Sequence, residues 1–175
     1  DFTESDRIAM AGAGSSVQTT YLQMAAAKEF GIDNYKKLNP LMVNLPHPEG
    51  LRALLSGSKE ITSQFTSPPF QNTALENPEI HTVLNSYDVM GGPNTFLVVW
   101  ATKKFRDENP KSYAAFLAGL KEAIDKINAD KKKYAQVFVR FTKSKLQPAF
   151  IEEMLNDPQV RYTMAPEGTM RFAEF

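Results

Sequence analysis

Gly12-Ala13-Gly14-Ser15-Ser16-Val17-Gln18 lies between a short apolar run, Arg7 to Gly12, and a helical pattern that begins at Val17. A bend of small residues at that place aims backbone N–H groups and the positive end of a helix dipole above the strand's carboxyl end. The hydroxyls of Ser15 and Ser16 add donors, so the chemistry offered is non-covalent capture of an anion or polar head group. The same residues read equally as a glycine turn followed by an N-capping serine. Gly12-x-Gly14 opens a dinucleotide fingerprint, but its third glycine would fall on Val17, and that reading is rejected.

A second candidate is Thr66-Ser67-Pro68-Pro69-Phe70-Gln71. Two prolines restrict the backbone, so Thr66, Ser67 and the Phe70 ring are presented with little conformational freedom, as a small-molecule site requires. A proline-started helix with Ser67 as N-cap is the plainer alternative, and both can hold. The third is Tyr87 to Asn94, where Gly91-Gly92-Pro93 separates two expected extended runs. Such a tripeptide is either an ordinary turn or a hinge that absorbs backbone rotation.

Other suggestive groups carry less. His47 and His81 are the only histidines, far apart and without a ligand pattern around them, so no metal site is expected. Lys131-Lys132-Lys133 suits a solvated helix start, and Asp107-Glu108-Asn109 suits the N-terminus of the helix opened by Pro110. Trp100, within Phe96-Leu97-Val98-Val99-Trp100, is expected in the core. Nucleophile-elbow, P-loop and metalloprotease motifs are absent from the sequence.

The elements that must position these residues follow from periodicity. Strands are expected at Arg7–Gly12, 41–45 and 60–65, with helices at 17–30 and 49–56 between them, which implies right-handed crossovers and a parallel sheet. Residues 81–89 and 95–102 read as further extended runs, and 160–164 as a short strand. Helices are expected at 110–127, 131–141 and 146–155. The first of them carries Tyr113, Phe116, Leu117, Leu120, Ala123, Ile124 and Ile127 on one face. The end, Gly168 to Phe175, reads as a helix that stops without a cap, as if the chain were part of something longer.

The 175 residues balance 20 Lys and Arg against 20 Asp and Glu, so no overall field favours nucleic acid or an anionic membrane. Cysteine is absent, which removes thiolate sites, cysteine nucleophiles and disulfides while leaving the compartment open. No window is apolar for the ~18 residues that a spanning helix needs.

Taken in order, these segments resemble the NitT/TauT-type (nitrate, sulfonate, taurine, bicarbonate) substrate-binding proteins of ABC transporters. The likeness runs through Arg7-Ile8-Ala9-Met10, the small-residue turn and Gln18 to Lys28. It continues in Ala53 to Gly57 before Glu60-Ile61, in Ser67-Pro68-Pro69-Phe70, and in Asn94 to Thr102 followed by Phe105 to Pro110 and the helix of Tyr113. The resemblance implies an α/β, type II periplasmic-binding-protein fold, with residues 1–90 as the second lobe, 91–94 as hinge and 95–175 as the C-terminal part of the first lobe. It implies ligand contacts at Gly14, Ser15, Ser16, Val17 and Gln18, with Thr66, Ser67 and Phe70 across from them. Asn94 joins the ligand set, and Gly91, Gly92 and Pro93 form the hinge. The implied protein is a carrier rather than an enzyme and uses no cofactor and no metal. Its partners are a small anionic or polar solute, a membrane permease, and first-lobe strands from the same gene product. It works in the periplasm, or lipid-anchored outside a Gram-positive cell. Two rivals are an enzyme on the same fold, of the thiamine-pyrimidine-synthase type, and a stand-alone sensory domain.

Overall fold

The computed structural model describes residues 2–175 and divides the chain into two units, residues up to Asn94 together with Met170–Phe175, and Thr95–Thr169.

The first unit is mixed α/β. Strand β1 (Ile8–Met10) is fully buried and forms the centre of a three-stranded parallel sheet of order β2-β1-β3. β2 (Met42–Asn44) pairs Ile8 with Met42 and Met10 with Asn44, and β3 (Ser63–Gln64) pairs Ile8 with Ser63 and Ala9 with Gln64. Parallel neighbours need crossovers, supplied here by α1 (Val17–Phe30) and α2 (His47–Leu55). β1 is apolar without alternation because it is covered on both faces. Ile8, Met10, Leu22 and Leu41 form the core, with Leu38, Met42, Phe65 and Leu84 against it. α1 begins at Ser16, whose Oγ accepts from the Thr19 N–H, and ends at Gly31, whose φ of 88° suits glycine. α3 (Phe70–Leu75) and α4 (Ser86–Met90) follow.

In the second unit, α5 (Lys103–Glu108), α6 (Pro110–Ala129), α7 (Lys131–Thr142) and α8 (Pro148–Asn156) lie where the periodicity places helices. Thr102 and Asp130 cap α5 and α7 through the N–H groups of Phe105 and Lys133. Among the described residues, Ala135 and Ile151 are the buried hydrophobics of this unit. The expected α6 face is half-buried at Tyr113, Leu117, Leu120, Ile124 and Ile127, while Phe116 and Ala123 are exposed. Within the first unit, the end of the last helix, α9 (Thr169–Glu174), sets Phe172 edge-on to Tyr21 and is followed by Phe175 against Tyr35.

Several sequence expectations are corrected. Residues 86–90 are helical, because Asn85 caps them through the Tyr87 N–H and Gly91 closes them in the left-handed conformation. Residues 95–102 and 160–164 form no strand, since no neighbouring strand meets them among the described residues. Trp100 is 79% exposed rather than in a core. The third strand contracts to Ser63–Gln64.

Candidate functional site

All three strands run parallel, so the bend after β1, the Leu45–Pro46 segment after β2 and the Phe65–Pro69 segment after β3 leave from one edge of the sheet. In open α/β sheets this carboxyl edge is where ligands bind. The ladder extends into the loops through Leu45 N–H to Met10 O (3.2 Å) and Phe65 N–H to Ala9 O (2.9 Å). None of these three segments contains an ionisable residue.

Hydrogen-bond accounting changes the expected picture of the bend. The Gly12 and Ala13 N–H groups donate to Asn44 Oδ1 (2.9 and 3.4 Å), and that of Gly14 donates to Thr19 Oγ1 (3.0 Å). Ser15 and Ser16 N–H turn back onto Gly12 O, and Thr19 N–H is spent on the Ser16 cap. The bend is thus exposed at Gly12, Gly14 and Ser15, but its own amides are consumed internally. Between Gly12 and Thr19 the unspent backbone donors are those of Val17 and Gln18, in the first turn of α1, where the dipole is positive.

Gln18 adds a second donor at the same place. The residue is 7% exposed, and its carboxamide has no hydrogen-bond partner within the described chain. Thr19 beneath it is buried and satisfied, donating its hydroxyl proton toward Met10 Sδ.

On the neighbouring loop, Thr66 Oγ1 lies 2.9 Å from His47 Nδ1, and the His47 ring stacks on Phe70 with centroids 5.5 Å apart. Burial pushes the His47 pKa below the ordinary histidine value, which keeps the imidazole neutral at pH 7. Gln64 Nε2 donates to His47 O and anchors the start of α2. Ser67 does not cap α3 with its side chain: Pro69 occupies the cap position, and Phe70 N–H donates to the Ser67 carbonyl at 3.0 Å. The Pro68–Pro69 peptide is cis.

Sequence order thus brings Gly14 to Gln18 and Thr66, Ser67 and Phe70 to one sheet edge. Asn94 is held otherwise. Its Oδ1 accepts from the buried Tyr21 hydroxyl and its Nδ2 donates to Ser86 O at 3.5 Å. Burial, together with the nearby Tyr87, raises the Tyr21 pKa, so this hydroxyl stays a donor. Gly91 and Gly92 close α4, with Gly92 N–H on Tyr87 O (2.8 Å) and the Arg171 guanidinium on Met90 O, and Pro93 follows. Asn44, which ends β2, is not singled out by the sequence, and His47, which starts α2 between two prolines, is weighed there only as a metal ligand.

Among the described residues no group of three or more His, Asp or Glu could hold a metal ion. No family model, curated protein or solved structure matches the chain.

Proposed function

We propose that the chain is the solute-gripping part of a carrier: it captures a small anionic or polar organic molecule at the carboxyl edge of the β2-β1-β3 sheet. The observation that carries this reading is the start of α1. The Val17 and Gln18 amides are unspent and the Gln18 carboxamide is without a partner, beside loops that hold no counter-charge. Such a place can hold an oxyanion by directed hydrogen bonds alone. The parallel three-stranded sheet is compatible with a type II periplasmic-binding-protein fold of the NitT/TauT kind, and the sequence resemblance favours that finer reading. On this reading the solute passes to a membrane permease outside the cytoplasm, first-lobe strands of the same gene product complete the grip, and Gly91 to Pro93 act as the hinge. Nothing covalent happens to the solute.

The test is a thermal-shift and calorimetric screen of taurine, nitrate, bicarbonate, an aromatic carboxylate and an aminopyrimidine. A native-state ligand at a hundred times its Kd stabilises by about 2.7 kcal/mol. The expected result is one class that raises the midpoint and loses its effect in Gln18→Ala. Failure of every class to move the midpoint, or a shift indifferent to Gln18, would overturn the reading.

A further inference from the structure

The neutral sum of the chain conceals one segregated stretch. Between Lys131 and Ile151 stand six cations, Lys131, Lys132, Lys133, Arg140, Lys143 and Lys145, and no Asp or Glu. Four of the five lysines of α5 and α6 lie within 4.0 Å of a carboxylate one turn away. Among the described residues none of the six has such a partner, although Asp130 and Glu152 border the stretch. Three of them occupy the first turn of α7, where the helix dipole disfavours a cation. Solvated lysines alone would need no partner. The same helix, however, carries Tyr134, Phe138 and Phe141 at i, i+4 and i+7, one stripe along its length. Phe141 is 85% exposed and Phe138 39%, while Tyr134 is half-buried. α7 packs on α8, and Ala135 and Ile151 are buried there. Lys133 and Arg140, seven apart, run along one flank of the stripe, Lys131 stands at its start, and Lys143 and Lys145 lie beyond its end.

We infer that this face of α7 lies on an anionic lipid surface, with the aromatic stripe sunk at the headgroup boundary and the cations on lipid phosphates. Charge complementarity chooses the occupant. Water satisfies the cations and leaves the rings bare, whereas a purely apolar partner covers the rings and strands the cations. An anionic bilayer meets both demands, because an aromatic stripe bordered by Lys and Arg rests in the interface plane while the charged heads reach the phosphates. The cations surround the stripe rather than standing opposite fixed points, which suits a laterally mobile sheet of negative charge. No described helix is long and apolar enough to cross a membrane, so the contact is made in the plane of the surface. This inference does not depend on the carrier reading: solute capture is assigned to the sheet edge of the first unit, and surface docking to a helix of the second.

At about 0.1 M salt the full chain should sediment with vesicles of phosphatidylcholine and phosphatidylglycerol in equal parts, and stay in solution with phosphatidylcholine alone. Each cation near an anionic surface contributes about fivefold to partitioning. Lys133→Glu with Arg140→Glu should therefore weaken binding by roughly thirtyfold or more. The same charge reversal at Lys103 and Lys104, on α5, should leave it within a few fold. Phe141→Ser should weaken it roughly tenfold with an unchanged far-UV spectrum, since that ring is exposed. A chain that stays in solution with the anionic vesicles would overturn the proposal. Equal losses from the α5 and α7 reversals would overturn it as well, by reducing the effect to general electrostatic attraction, and so would binding indifferent to Phe141. Capture of single-stranded polyuridylate that anionic vesicles fail to displace would overturn it and give the basic, aromatic face to nucleic acid.

Discussion

Gly50 offers the sharpest test of how the sheet edge is built. It is the buried glycine of α2, and a Cβ placed there would lie 2.6 Å from Gln64 Nε2, 3.2 Å from Gln64 Cδ and 3.2 Å from Ala9 Cβ. Ala9 is fully buried in the central strand and cannot withdraw, so Gln64 must. Moving Gln64 breaks its bond to His47 O (2.9 Å) and strands a buried carboxamide whose Oε1 already lacks a partner. Gly50→Ala gains about 1 kcal/mol of helix propensity. Against this stand overpacking at about 1–3 kcal/mol and a lost buried hydrogen bond at about 1–3 kcal/mol. The expected net is a destabilisation of about 1–5 kcal/mol, read as a lower urea midpoint by far-UV circular dichroism. Gln64→Ala removes two of the three close contacts. In that background Gly50→Ala should therefore cost less, with a coupling of about 1–2 kcal/mol. A Gly50→Ala chain at least as stable as the parent, or a penalty unchanged in the Gln64→Ala background, would show that α2 does not close on the sheet as described.

Ser16→Ala should lose about 1 kcal/mol by removing the cap on Thr19 N–H (3.3 Å), and Ser16→Asp should restore most of it; equal denaturation midpoints for all three chains would contradict the capping role. His47 makes a pH prediction whose sign follows from burial. Its folded pKa lies below the unfolded value of 6.5, so the unfolded chain takes up the proton first. Its contribution is complete above about pH 6.5 and is lost as pH falls through the lower folded value. His47→Gln should flatten that slope in a titration of the urea midpoint, and an unchanged slope would assign the acid sensitivity to other groups.

Local signals carried much of the first unit. Ser16 before an i, i+4 pattern and Gly31 after it bound α1 at the residues the structure shows, because capping is decided within one turn of chain. Pro110 opens α6, and Lys131 opens α7, for the same reason. Strand 60–65 shrank to two residues because pairing depends on what the neighbours reach, and β1 reaches only to Ser63 and Gln64. Residues 86–90 turned helical on the strength of the Asn85 cap and Gly91, local signals that the apolar content of the segment obscured.

The site divides in the same way. Sequence alone determined that a small-residue bend with serines follows the first strand and that a proline-rich loop follows the third. It also determined that neither carries charge. Only the tertiary structure decided which donors remain available. Asn44, more than thirty residues away, takes the amides of Gly12 and Ala13, and Thr19 takes that of Gly14, so the free donors move one step into the helix, to Val17 and Gln18. Only the tertiary structure, too, seats His47 on Phe70 and leaves Phe96 to Trp100 without a sheet. The physical reason is common to all of these. Helix ends and turns depend on bonds between near neighbours, which the order of residues specifies, whereas satisfaction of a polar group and burial of an apolar one depend on what distant segments bring to it.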